Sequence, residues 1–234
     1  HRSVPLQSGS VADFSSAVLS AMESVDMPVS IDSMPSEIAD AVPFDRDTAR
    51  RSYDPDHAHT LWRALVQIDR VLSRFRAGFK GKASPVHFFW GSFDLATTRF
   101  SGRAAPPHPG GIPNFPDDVA REAYSHEVTS VGFWPGNRAS PEPIFYAYAY
   151  PTPDGFAAAD IEPDAAFWLD ELGEFALAYD VVADAEDPDG LLLSFFDSTH
   201  AAAADLARWD RQALECDEPE GPDWWRSRPH RLTH

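Results

Sequence analysis

The sequence predicts an α+β fold in which a mainly antiparallel sheet is packed by two or three helices, and three observations carry that expectation. An apolar stripe of helical period runs through residues 55–79. Short segments between 86 and 179 are rich in aromatic and β-branched residues and lack that period, and a second helical pattern follows Asp187. Helices flanking a run of strands argue for segregated α and β elements, not for alternating βαβ units. A chain of 234 residues can bury a substantial core. The expectation is a single α+β domain over residues 1–216 and a polar, Pro-containing tail over 217–234.

Ser10 followed by Asp13 is an acidic form of a capping box, and Phe14, Val18, Met22 and Val25 recur at helical spacing, so residues 11–25 are predicted helical. Residues 28–33 (PVSIDS) alternate as in a short strand, and a polar connector leads on to Tyr53. Asp54 is a good N-cap and Pro55 suits the first helical position. Leu61, Leu65, Ile68, Leu72, Phe75 and Phe79 then form the core stripe, widened by Trp62 and Val66, with Arg63, Gln67, Arg70 and Arg74 opposite. Gly78 and Gly81 end this helix.

Beyond Ser84-Pro85 the period changes. Val86 to Phe100 reads as one or two buried strands broken near Gly91. Residues 104–118 (AAPPHPGGIPNFPDD) are turn material. Glu127 to Phe133 and Ile144 to Tyr150 read as strands. The second alternates strictly, with Ile144, Tyr146, Tyr148 and Tyr150 on one face and Phe145, Ala147 and Ala149 on the other. Phe167–Leu169 and Phe175–Tyr179 flank Glu171-Leu172-Gly173 as in a hairpin or a bulged turn. Asp187-Pro188 opens a last helix over about residues 189–214, carrying Leu192, Phe195, Phe196, Leu206 and Leu214.

Net charge is −18. Residues 45–103 carry 11 Lys/Arg against 6 Asp/Glu, so the acidity is concentrated elsewhere. Such a surface repels phosphate backbones and anionic lipid, which argues against nucleic acid and membrane surfaces as partners. No stretch approaches the length of an apolar membrane span, and no signal-peptide pattern opens the chain, so a cytoplasmic location is expected. The chain begins with His1, as in a processed, tagged or truncated product. Its single cysteine, Cys216, permits no intramolecular disulfide and lies among Glu215, Asp217 and Glu218, a setting unsuited to a thiolate nucleophile.

The familiar phosphate-binding, dinucleotide-binding, nucleophile-elbow and zinc-protease motifs are missing. The Gly-rich piece His108-Pro109-Gly110-Gly111 reads as a turn. What stands out is polar residues inside the most apolar segments: His87, Asp94 and Arg99 sit among Phe88, Phe89, Trp90, Phe93 and Phe100. A charge buried there needs a partner. His126-Glu127, at the start of the next apolar strand, offers candidates, although adjacent strand residues point to opposite faces.

Three readings follow. His87 and His126 with Asp94 or Glu127 bind a divalent metal; a histidine and a carboxylate of this set do acid–base catalysis without metal; or Arg99 pairs with Asp94 and the histidines are structural. No particular cofactor or oligomeric state is specified. Separately, Tyr146, Tyr148 and Tyr150 with Trp90 and Trp134 suit an amphipathic pocket that stacks on a flat ligand, with Arg99 as a polar contact. The simpler alternative is that the 55–79 helix covers the tyrosine face. The functions in view are a small-molecule-binding protein with an aromatic and His-lined pocket, an enzyme with a His/carboxylate site, and a protein-interaction module.

The segments LWRALVQIDRVLSRFR, SPVHFFWGSFDLATTRFSGR, PPHPGGIPNFP, YSHEVTSVGFWPG and FYAYAYP are long and unusual. Through them, and onward to about Leu214, the chain resembles a bacterial family of uncharacterised proteins, domain-of-unknown-function family 5996. The resemblance implies no activity, substrate or catalytic residue. It implies a longer parent, with a further N-terminal segment.

Overall fold

The computed structural model describes residues 1–137 and 140–216. The element order is β1 (Gly9–Ser10), α1 (Val11–Glu23), β2 (Arg50–Arg51), α2 (Pro55–Ala77), β3 (His87–Phe89), β4 (Asp94–Ala104), α3 (Asp117–Ala123), β5 (His126–Trp134) and β6 (Ile144–Tyr150). A 3₁₀ turn (Phe156–Ala158), β7 (Phe167–Leu169), β8 (Glu174–Ala178), α4 (Tyr179–Ala183), α5 (Pro188–Leu206) and α6 (Arg211–Leu214) complete it. This is an α+β fold. Its six-stranded sheet has the order β3-β4-β5-β6-β8-β7, and every neighbouring pair is antiparallel. Both edge strands are only three residues long, which leaves little unpaired backbone for a foreign strand.

The helices start where their caps dictate. Ser10 accepts from the Asp13 amide, and Asp54 accepts from the amides of Asp56 and His57 with Pro55 at the first position. On α2, Ile68, Val71, Leu72 and Phe75 are buried at i, i+3, i+4 and i+7. Leu61 and Leu65 pack against this core, whereas Trp62 and Val66 are exposed, so the stripe is narrower than the sequence suggested. Helices α2 and α5 cover one face of the sheet, in a core that joins Phe75, Phe195 and Phe196 to Leu95, Phe133, Phe145 and Leu177.

Several sequence expectations need correction. Residues 28–33 form no strand, because Val29 and Ile31 are exposed and have no partner. The supposed turn region ends in α3, a seven-residue helix with no side-chain cap to announce it. The last helix stops at Leu206, and Arg208, at φ 56°, turns the chain before α6 begins. That turn buries Trp209 and brings Glu215 back to pair with Phe79 at the end of α2. The 217–234 tail lies outside the described residues. Among the described residues, no helix is long and apolar enough to cross a membrane.

Candidate functional site

Strand register sorts every candidate residue onto one of two faces. Leu95, Phe133, Phe145 and Leu177 are successive partners across β4, β5, β6 and β8, and all belong to the core under the helices. Side chains alternate along each strand. Asp94, Ala96 and Thr98 of β4, Ser130, Gly132 and Trp134 of β5, and Tyr146, Tyr148 and Tyr150 of β6 therefore share the opposite face. His87 and Phe89 join them from β3, where they pair with Ala96 and Asp94. The tyrosine face is thus not the face under α2, because Phe145, Ala147 and Ala149 take that side.

The centre of this face is Asp94, which is only 7% exposed. Its carboxylate accepts from the hydroxyls of Ser92 and Tyr146. Tyr146 reaches it from β6 because β5 is bare between them. A Cβ at residue 132 would stand 2.5 Å from Tyr146 Cζ and Oη and 2.8 Å from the Leu95 carbonyl oxygen, so glycine is needed there. Trp134 Nε1 donates to the Ser92 carbonyl at 3.1 Å, which fixes the turn that delivers Ser92.

Two further carboxylates approach Asp94. Glu174, at the start of β8, is pushed up to about 7, first by burial and then by the charge of Asp94. Glu37, in the connector between α1 and β2, is raised by the same causes in the same order. The Glu37 amide donates to the Pro113 carbonyl at 2.7 Å and Asn114 Nδ2 donates to the Ile38 carbonyl at 2.8 Å, so connector and 104–116 turn are laced together. Glu37 and Phe93, both at φ 67°, hold left-handed backbone beside the carboxylates. Such conformations cost energy and gather at functional sites.

From Asp94 an aromatic strip continues along the face. The rings of Tyr146 and Tyr148 stack at 6.2 Å, and Tyr148 shares a 3.1 Å hydrogen bond with Tyr124. His108 stacks on Tyr124 at 4.8 Å. Burial, with their acidic and phenolic neighbours, raises Tyr146 and Tyr148 well above the ordinary phenol range, so both stay protonated donors. A strip of phenols and carboxylates can stack on a flat ligand and accept hydrogen bonds from a cationic one.

The remaining predicted site residues lie elsewhere. Arg99 is on the helix face, so it does not pair with Asp94; its guanidinium covers the Phe75 ring at 3.5 Å and donates to the Phe75 carbonyl. Glu127 shares that face and is held by Ser101 at 2.9 Å and by Arg103 at 2.6 Å. His126 is exposed and bonds Ser125. Gly132 stands in register with Ala96, the partner of His87, and the six residue steps from His126 to Gly132 span about 20 Å of strand. The two histidines therefore do not converge, and they form no common metal site. Trp90 is 81% exposed, packed only edgewise on Phe88 and Phe93 at the hairpin tip. Among the described residues, no group of three or more His, Cys, Asp or Glu is placed to hold a metal ion.

The sequence reading missed Ser92, Glu37, Gly132, Tyr124, His108 and Glu174 as parts of this face. A glycine between β-branched and aromatic strand residues was the available signal, since it marks a close approach. Glu37 and Glu174 carry no local signal, because their placement depends on long connections.

Residues 1–216 match the model of the family described as "Family of unknown function (DUF5996)". No curated protein and no solved structure matches the chain.

Proposed function

The chain belongs to the family of unknown function DUF5996, and from that premise we propose that it is a small-molecule-binding protein whose tyrosine-bearing sheet face takes an organic cation, a small amine with a flat or apolar body. The observation that carries this reading is Asp94, a buried carboxylate held by two hydroxyls, with no ion-pair partner among the described residues. Glu37 and Glu174, both raised in part by the charge of Asp94, are carboxyls at the same place that a ligand ammonium would draw toward their charged form. Buried charge of one sign calls for a counter-charge, and a ligand ammonium supplies it. Tyr146 and Tyr148 offer rings for its body, and His87 and Trp134 stand on the same face.

The test is a thermal-shift and calorimetric screen of small amines against matched carboxylates and alcohols. Amines stabilise the protein, the others do not, and Asp94→Asn removes the effect while leaving the unliganded fold intact. Equal responses to carboxylates and amines would defeat the reading. An enzymatic use of the same face is favoured by Glu174 alone. A carboxyl titrating near 7 can donate and accept a proton at neutral pH.

A further inference from the structure

On the helix side of the sheet, away from the tyrosines, a line of buried polar groups runs into a cavity. Thr129 of β5 and His200 of α5 are each 3% exposed. Thr129 Oγ1 lies 2.7 Å from His200 Nδ1, and His200 Nε2 lies 3.1 Å from Glu215 Oε1. Arg211 donates to both Glu215 oxygens, at 2.7 and 3.0 Å. The rings of Phe75, Phe79 and Trp209 surround the imidazole edge-on.

The direction of each hydrogen bond follows from protonation. Burial alone would raise Glu215, but the hydrogen bonds from His200 and Arg211 outweigh it and draw the group down to about 2. Glu215 is therefore a carboxylate and only accepts. Burial pushes His200 down to about 4, against the opposing hydrogen bond to Glu215, so the ring is neutral at pH 7. Its Nε2–H is given to Glu215, which leaves a lone pair on Nδ1. The Thr129 hydroxyl must donate to that lone pair. Hydroxyl, imidazole and carboxylate thus stand in the order of a nucleophile, its base and the group that orients the base.

Thr129 and Trp209 line a cavity of about 160 Å³, with Ala149, Pro153, Ala203 and Ala207 among its walls. Arg103 joins Glu127, another wall residue, to the carbonyls of Ala207 and Arg208 at the end of α5. Trp209 is 8% exposed, and its Nε1 has no hydrogen-bond partner among the described residues. Thr129, whose hydroxyl is set to give its proton to His200, thus borders one small, mostly apolar space. We propose that this cavity is a second site, at which Thr129 acts as nucleophile and His200 as general base on a short-chain acyl ester.

The step balances with water as co-reactant. Thr129 Oγ1 bonds to the ester carbon as its proton passes to His200 Nδ1, and the carbonyl electron pair moves onto oxygen. When that pair returns, the bond to the leaving oxygen breaks and the departing alcohol takes the proton from His200. A water molecule then repeats the sequence on the acyl-threonine, releasing a carboxylic acid and restoring the hydroxyl. Glu215 is a positioning residue, since it acts only through His200. Space for about five water-sized groups restricts the acyl chain to a few carbons.

The experiment incubates the full chain with p-nitrophenyl acetate, follows p-nitrophenolate release, and maps protein acetylation by mass spectrometry. A single acetyl group on Thr129 is expected. Thr129→Ser keeps it, and Thr129→Val abolishes it. His200→Gln slows acylation by about 10²-fold or more. Glu215→Gln lowers the rate constant and leaves the half-saturating ester concentration unchanged. A wild-type chain that carries no acetyl at Thr129, or a Thr129→Val chain that releases p-nitrophenolate as fast as wild type, overturns the proposal. A purely structural chain gives the first of these results together with lowered unfolding temperatures in the variants. Because wild type and Thr129→Ser carry the decisive outcome, misfolding of the other variants does not shield the proposal.

Discussion

Tyr146 and Asp94 stand on strands that do not pair with each other, and the phenol reaches the carboxylate across the backbone of Gly132 on the strand between them. The contact exists because the intervening strand carries no side chain there. Gly132→Ala should therefore expel the Tyr146 ring and free Asp94. The expected loss is about 1–3 kcal/mol, as for other overpacked sites. Denaturant unfolding measures it, and a loss below about 0.5 kcal/mol would show that the ring does not lie over residue 132.

Removing the hydroxyls should rank them by the charge they serve. Tyr146→Phe leaves the buried Asp94 carboxylate with Ser92 alone and should cost about 1.5–3 kcal/mol. Tyr148→Phe breaks a bond to a neutral phenol and should cost about 0.5–1.5 kcal/mol. The reverse order would place the structural weight on the Tyr124 side of the strip.

Glu174 makes stability fall as the pH rises toward neutrality. Its carboxyl is raised from 4.5 to about 7, chiefly by burial, so the fold favours the protonated form. That contribution is fully present below about pH 4.5 and lost as the pH rises through about 7. Glu174→Gln should flatten the decline of stability between those values, as read by unfolding midpoints across a pH series. An unchanged decline assigns it to another group.

His200 works in the other direction. Its imidazole is depressed from 6.5 to about 4, so the fold favours the neutral ring. The stability it confers is complete above about pH 6.5 and lost as the pH falls through about 4. His200→Gln should remove the acid limb in that window, and a limb that persists unaltered would locate the acid sensitivity in the carboxylates.

Leu72→Ala should cost about 2–5 kcal/mol, because Leu72 is 0% exposed at the centre of the α2 stripe. Leu65→Ala should cost less, since Leu65 only flanks that core. Parity between the two would mean that the turn of α2 before Ile68 is buried more deeply than described.

Much of this fold was legible in short stretches of sequence. The cap at Asp54, the Ile68–Phe75 stripe and the alternation of Ile144 to Tyr150 each state their outcome within a few residues, because capping and side-chain period are local matters. The site was legible by halves. Asp94 and Tyr146 could be picked out as polar groups in apolar strands, but their meeting depends on strand order and on Gly132. Arg99 misled because it too is a charge in an apolar strand. Five positions from Asp94, it takes the other face and spends its charge on Phe75. Thr129, His200 and Glu215 gave no local sign, since they are brought together only by the reversal at Arg208 and the return of the chain to the end of α2.

Strand β5 serves both sides of the sheet: Thr129 and Val131 face the helices, while Ser130 and Gly132 face the tyrosines. A one-residue deletion within it would trade these pairs, setting a hydroxyl where the core needs valine and a β-branched side chain beneath Tyr146. Substitutions can alter either chemistry independently, but insertions and deletions strike both at once. Over evolutionary time the two compartments are thus free to diverge in what they hold, while a shared reading frame keeps them locked back to back.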